Sequence, residues 1–192
     1  MLLTLVVGVS SFLPVIVPGA AGSEVAVSQP ERAAAPGLAA QKEAMKKLEW
    51  LSGDWEGPAK YDSGRGADAW MEVRQSEAVK VKMGGRVLLV EGTGRMQAGG
   101  QERVIFEALA TISYDARTKE YQMRAFGPEG AIDPSLEVGE KSLIWSFAAG
   151  GEKRRYTAKL DEQGKWFEIG ERSADDGKTW VKFVEMTLEK KR

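Results

Sequence analysis

Seven charged side chains sit inside runs rich in Val, Ile, Phe, Tyr and Trp: Glu72, Arg74, Glu107, Arg124, Glu168, Glu171 and Glu185. On the solvent face of a strand they serve only solubility. Pointing inward, each needs a partner, because a buried charge is costly unless it is paired and hydrogen-bonded. Arg74 and Arg124 are the cations that can pair with Glu107 or Glu185, and such a patch would orient the head group of a ligand. Two Glu residues facing each other across a cleft, about 5–9.5 Å apart, would instead supply the acid and the nucleophile or base of a glycoside hydrolase. Spacing along the chain does not decide between these readings. The 192 residues contain no His and no Cys. The commonest general base and transition-metal ligand is therefore missing, as are disulfides, zinc–thiolate sites and cysteine nucleophiles. Acid–base chemistry would fall to Asp, Glu, Lys or Tyr.

The bulk charge is balanced, with 27 basic and 28 acidic residues. Nucleic acid and polybasic membrane contact both need a basic stripe, so neither is expected. Residues 2–21 are apolar and uncharged and end in Gly19-Ala20-Ala21, which reads as a secretory signal cleaved after Ala21 although no Lys or Arg precedes it. A membrane anchor is the alternative, since the run is near the ~20 residues a span needs, but Pro14 and Pro18 favour cleavage. The folded part is then periplasmic or secreted, with no stable membrane contact after cleavage. Residues 22–37 carry Ala, Ser and Pro without an apolar period and read as a disordered linker.

The elements that must position the charged residues follow. Leu38, Met45, Leu48 and Leu51 share one face of a helix over 38–51, stopped by Ser52-Gly53. From there to the C-terminus, Gly- and Asp-rich turns recur at short intervals between β-branched and aromatic runs. The runs are 55–61, 68–81, 86–96, 103–114, 120–126, 131–138, 142–148, 153–160, 166–173 and 180–190, about ten strands of an antiparallel meander. Connections this short exclude helical crossovers and hence a parallel sheet. The expected fold over 38–192 is all-β: an antiparallel up-and-down β-barrel of about ten strands, with the helix closing one end. Closure removes the bare edges that an open sheet of this size would carry. A two-sheet sandwich is the alternative.

Two motifs stand out. Gly53-x-Trp55, after a short helix and before the first strand, resembles the lipocalin-type signature. That resemblance implies that Trp55 plugs the closed end and packs against a basic residue from the last strand, here Lys190, Lys191 or Arg192. Ser173-Ala174-Asp175-Asp176-Gly177-Lys178-Thr179-Trp180 matches the S-x-D-x-G-x-T-W pattern known as the Asp box. Ser173 and Asp175 bond the turn backbone, Gly177 takes positive φ and Trp180 packs beneath it. It occurs once, so it implies a turn and not a propeller. A sparse calcium site on Asp175 and Asp176 is the lesser alternative.

The chain from about Leu48 to Lys190 also resembles a family of small secreted bacterial proteins with a lipocalin-like (calycin) barrel and no established activity. The stretches that carry this are Leu51 through Gly57, Gly84 through Leu88, Glu107 through Asp115 and Phe183 through Leu188. A related branch, the nitrobindin-like barrels, binds haem through a His on a late strand. With no His in this chain, His-ligated haem is excluded and no cofactor is expected.

The function this points to is a barrel holding a small apolar or amphipathic molecule, with Tyr114, Phe126 and Trp145 as apolar lining and Glu107, Arg124 and Glu185 as polar contacts. Trp145 is the strongest lumen candidate, because its strand is apolar on both faces. A barrel with no ligand, serving structure or protein interaction, and a carboxylate-based hydrolase are the alternatives. The oligomeric state is not fixed by the sequence.

Overall fold

The computed structural model describes residues 36–66, 69–128 and 130–192. The expected signal segment lies outside the described residues, as does the expected linker up to residue 35. Pro36 and Gly37, placed in that linker by composition, instead open helix α1 (Pro36–Met45). Proline is well suited to a first helical turn, where its missing N–H has no partner to lose. The helix tightens into a 3₁₀ segment, Lys46–Leu51. Met45, Leu48 and Leu51 are three apart, so at three residues per turn they stack in one row, and all three are buried. Leu38, expected on the same face, is 42% exposed. Among the described residues no helix is long and apolar enough to cross a membrane.

Eleven strands follow: β1 (Gly53–Asp62), β2 (Trp70–Lys82), β3 (Val87–Ala98), β4 (Gln101–Asp115), β5 (Glu120–Gly127), β6 (Gly130–Ile132), β7 (Ser135–Gly139), β8 (Ser142–Ala149), β9 (Glu152–Leu160), β10 (Trp166–Ser173) and β11 (Val181–Lys190). They form one antiparallel sheet in the order β6-β5-β4-β3-β2-β1-β11-β10-β9-β8-β7. Each strand pairs with its neighbour in sequence except β6 with β7. β1 pairs with β11, and β6 and β7 are left as the two edges. The sheet is thus curled and barrel-like, but open at the β6/β7 seam. Here the expectation of ten strands in a closed barrel is corrected. The run expected over 131–138 breaks at Asp133-Pro134 into β6 and β7. Proline has no N–H to give a ladder and is confined to edges and breaks.

Inward residues meet the helix in a core of Met45, Leu48, Leu51, Trp55, Leu88, Ile112, Leu143, Ala158, Trp166, Met186 and Leu188. Two bonds fix the helical segment over that end. Tyr121 Oη donates to the Ala44 carbonyl at 2.7 Å and Trp55 Nε1 donates to the Leu51 carbonyl at 2.7 Å. Trp166 meets Trp50 and Trp55 edge-on, with centroids 6.2 and 5.9 Å apart. The basic partner implied for Trp55 is Lys190, whose Nζ lies 5.3 Å from the ring centroid. Gly53 makes that reach possible: its φ is 122°, and a Cβ there would fall 2.5 Å from Lys190 Cε.

The β10–β11 connection is built as the Asp-box pattern predicts. Asp175 Oδ1 accepts from Ser173 Oγ at 2.8 Å, Lys178 N at 3.1 Å and Thr179 N at 2.8 Å, and Oδ2 accepts from Thr179 Oγ1 at 2.6 Å. Those bonds hold the Asp175 carboxyl down at about 2. Ser173 Oγ takes the Gly177 amide at 2.8 Å, and Trp180 Nε1 donates to the Gly177 carbonyl at 3.0 Å. The Arg155 guanidinium covers the Trp180 ring at 4.2 Å.

Candidate functional site

The curl of the sheet encloses a cavity of about 380 Å³ above the core. Its walls follow from the two-residue period of each strand. Tyr61 from β1, Gln75 and Glu77 from β2, Phe106 and Ala108 from β4, Trp145 and Phe147 from β8, Arg154 and Tyr156 from β9, and Glu168 from β10 all line it. On β11 both Phe183 and Val184 do so. Register explains this: Gly170 faces Val184 and Glu171 faces Lys182, so Phe183 is an extra residue in a bulge and turns to the same side. One wall is an aromatic stack. Trp145 lies flat on Tyr156, with centroids 4.9 Å apart and planes 2° from parallel, Phe147 stacks beyond at 6.2 Å, and Phe183 meets Tyr156 edge-on.

Polar groups gather toward the end that the tryptophans close. Gln75, Glu77 and Glu168 are 1%, 9% and 6% exposed. Tyr61 Oη donates to Gln75 Oε1 at 3.2 Å, Gln75 Nε2 donates to Glu77 Oε1 at 2.7 Å, and Trp166 Nε1 donates to Glu168 Oε2 at 3.2 Å. Space for the first two side chains comes from β3. Register sets Glu77 beside Gly92 and Gln75 beside Gly94. A Cβ at Gly92 would stand 2.7 Å from Glu77 Oε1, and one at Gly94 would stand 3.0 Å from Gln75 Oε1. Glycine weakens a strand interior, so its use here marks a close approach.

Burial dominates the electrostatics. Desolvation pushes the Glu77 carboxyl up to about 7, against the opposing pull of the Gln75 bond. Glu168 is raised well above the usual carboxylate range, first by desolvation and second by the Glu77 charge, with the Trp166 bond opposing. Tyr61 is also raised, by burial and then by the two glutamates. A protonated carboxyl donates as well as accepts. The closed end therefore offers hydrogen bonds of both senses, and one acid changes charge near neutral pH.

Of the residues expected to form a site, Trp145 and Phe126 line the cavity, Phe126 at the open seam with Gly127 and Ile132. Tyr114 packs edge-on against Tyr121 at 5.0 Å beside the helical core and does not line the cavity. Glu107, Arg124 and Glu185 do not reach it. Glu107 alternates with the lining residues Phe106 and Ala108 and is exposed. Arg124 is exposed and paired with Asp133 at 2.8 Å, and Glu185 is paired with Lys182 at 2.5 Å. Arg74, considered as a partner for Glu107 or Glu185, pairs with Glu56. Three strands, β3, β2 and β1, separate β4 from β11 in the sheet. Glu107 and Glu185 thus face no common cleft, and the hydrolase pair considered from sequence is not assembled by them. Among the described residues no group of three or more acidic side chains is placed to hold a metal ion.

The polar residues of the lumen that the sequence reading did not assign to a site are Tyr61, Gln75, Glu77 and Arg154. Glu168 reads from the sequence only as an in-strand charge. A signal existed in the alternation Val73, Gln75, Glu77, Val79 and in Trp166, Glu168, Gly170, which place polar side chains in the apolar register.

No family model matches the sequence, and no curated protein matches it. Among solved structures, the crystal structure of Rv2717c from M. tuberculosis is similar to this chain with a TM-score of 0.51 and 15% sequence identity, covering 82% of this chain and 99% of that one. At that identity the likeness is one of fold: a curled antiparallel β-sheet of barrel type.

Proposed function

We propose that this protein binds a small, mostly apolar or amphipathic molecule inside the curled sheet, and that it does so outside the cytoplasm, with residues 1–21 as a secretory signal. The observation that supports binding is the cavity of about 380 Å³, walled by aromatic and aliphatic side chains with a few convergent polar groups at one end. Its volume falls in the usual range for small-molecule sites, about 300–1,000 Å³. Apolar burial supplies affinity and the polar end supplies orientation.

The test is a binding screen with fatty alcohols, phenols and indoles, followed by thermal shift and by tryptophan fluorescence, since Trp145 and Trp166 both line the cavity. A ligand present at 100 times its Kd stabilises the folded state by about 2.7 kcal/mol. Ala108→Trp should fill the lumen and abolish the shift. Retained affinity in a folded Ala108→Trp protein would place binding elsewhere, and no shift with any class would end the ligand reading.

One observation favours a second role. Val104, Ile105, Leu109 and Phe126 are exposed, and Leu109 and Phe126 are cross-strand partners close to the unpaired β6 edge. This suits protein interaction, and a concentration-dependent mass in light scattering that Phe126→Ser abolishes would support it.

A further inference from the structure

We infer that the lumen selects an amine: an ammonium head seats between Glu77 and Glu168 at the closed end while an aromatic or aliphatic body lies along Trp145 and Tyr156. This rests on the lumen being a ligand site.

The first argument is charge. Glu77 and Glu168 are each more than nine-tenths buried and line the cavity, and among the described residues neither has a Lys or Arg within ion-pair distance. Buried carboxylates are normally paired, and otherwise stay protonated. Two uncompensated carboxyls in one cavity lack a cation. Gly92, whose missing Cβ leaves room for the Glu77 head, shows that the strand beside it is shaped around that group.

The second argument is hydrogen-bond sense. The local donors are engaged within the cluster: Tyr61 O–H on Gln75, an N–H of Gln75 on Glu77, and Trp166 N–H on Glu168. What remains directed at a ligand is mainly carboxyl oxygen. An ammonium brings three N–H donors and no acceptor; an anion would meet two carboxyl groups that repel it once ionised, with the second N–H of Gln75 as the remaining amide donor. The third argument is the wall. Trp145, Tyr156 and Phe183 present ring faces and edges to the same space, and aromatic faces attract cations.

The titratable groups lining this cavity are Tyr61 on β1, Glu77 on β2, Arg154 and Tyr156 on β9, and Glu168 on β10. The one cation among them, Arg154, lies four residues along β9 from Ala158, the register partner of Glu168, which is about 13 Å along a strand. Its guanidinium is 5.9 Å from the Phe183 ring and 4.0 Å from the Glu152 carboxylate. It belongs to the far end of the site and leaves the head-group position acidic.

Three indoles with one body and different heads test the inference on the full chain by calorimetry: tryptamine, indole-3-ethanol and indole-3-propionate. Tryptamine should bind at least ten-fold tighter than the alcohol, and the carboxylate weakest. At pH 6, Glu77 holds its proton in the free protein, so tryptamine binding should release up to one proton, read by repeating the titration in two buffers of different ionisation enthalpy. The release from Glu77 should shrink as the pH rises through about 7, and the alcohol should release none. In Glu77→Gln and, independently, Glu168→Gln, the tryptamine-to-alcohol ratio should fall to within about two-fold. Equal or tighter binding of the alcohol or the carboxylate overturns the amine assignment and leaves the lumen site standing. A ten-fold preference that survives both substitutions also overturns it. If none of the three indoles binds, while Ala108→Trp alters no other ligand's shift, the lumen reading fails and this inference with it.

Discussion

Glu77→Gln should make the protein more stable in alkali and leave it nearly unchanged in mild acid. In the unfolded chain the Glu77 carboxyl loses its proton at its ordinary value of 4.5; in the folded protein it keeps it until about 7. Between these two values the unfolded state binds fewer protons, so stability falls as pH rises. The folded-state advantage is complete below pH 4.5 and gone once the pH has passed through about 7. At 1.36 kcal/mol per decade, carrying the carboxyl from 4.5 to about 7 corresponds to about 3 kcal/mol lost on ionisation. Glutamine has the same shape beneath Gly92, still accepts from Gln75 and cannot ionise. Urea unfolding at pH 5, 6, 7 and 8.5 measures the difference. Wild type and variant should agree within ~1 kcal/mol at pH 5, the scale of one hydrogen bond, and differ by about 3 kcal/mol at pH 8.5, or about 6–12 °C in Tm for a domain of this size. Glu168, raised in the same direction chiefly by burial, gives both proteins a residual slope, smaller in the variant because the Glu77 charge that also raises it is gone. Parallel curves, or a variant less stable than wild type at pH 8.5, would refute the reasoning, because they would mean that the buried carboxylate has a compensating cation.

Gly92→Ala places a methyl 2.7 Å from Glu77 Oε1 and should destabilise by about 1–3 kcal/mol through overpacking; adding Glu77→Ala should recover most of that loss in a double-mutant cycle, and simple additivity would deny the contact. Gly53→Ala meets both a φ of 122° and the Lys190 stem, so chemical denaturation should show a loss of about 1–3 kcal/mol from backbone strain alone, and Lys190→Ala should relieve the clash but not the strain, leaving the double variant well short of wild type. Asp175→Ala removes the acceptor of the Lys178 and Thr179 amides, and amide exchange at those two positions should accelerate at least ten-fold while the β1–β2 ladder is unchanged. The same amides should lose protection in wild type as the pH falls through about 2, where Asp175 protonates.

The strands were legible because the punctuation between them is chemical. Gly84-Gly85, Gly99-Gly100 and Gly150-Gly151 all take positive φ, with values of 65° and 95°, 61° and 76°, and 61° and 81°, a conformation open to glycine and strained for most residues. The plug was legible because Gly53-x-Trp55 is local, and its partner came from the last strand as implied. The seam was not: whether β6 and β7 pair depends on long-range curvature, and the run over 131–138 reads as one strand despite Pro134. The polar contacts failed for a different reason. Glu107 is outward by the alternation already visible in Phe106, Ala108 and Ala110, a parity that outweighs its place inside an apolar run. Glu77 and Gln75 stand in the register of Val73 and Val79, but the Gly92 and Gly94 that accommodate them become their neighbours only once the β2–β3 register is known.

Plug and site are built from the same side chains. Trp55 is the register partner of Glu77 across β1 and β2, and Trp166, which meets Trp55 edge-on, turns its N–H to Glu168. Trp55 spends its own N–H on the helical segment, at Leu51. One indole therefore anchors the lid to the sheet, and the other anchors a carboxyl to the lid's packing. The desolvation that raises both glutamates is thus a consequence of closure: the tryptophans and the Met45–Leu48–Leu51 row that seal this end also keep water from the acids. A polar cluster could not be dry at the open seam, where Phe126 is 44% exposed. The acids thus sit at the sealed end of the cavity, and their raised proton affinity is set by the packing that closes it.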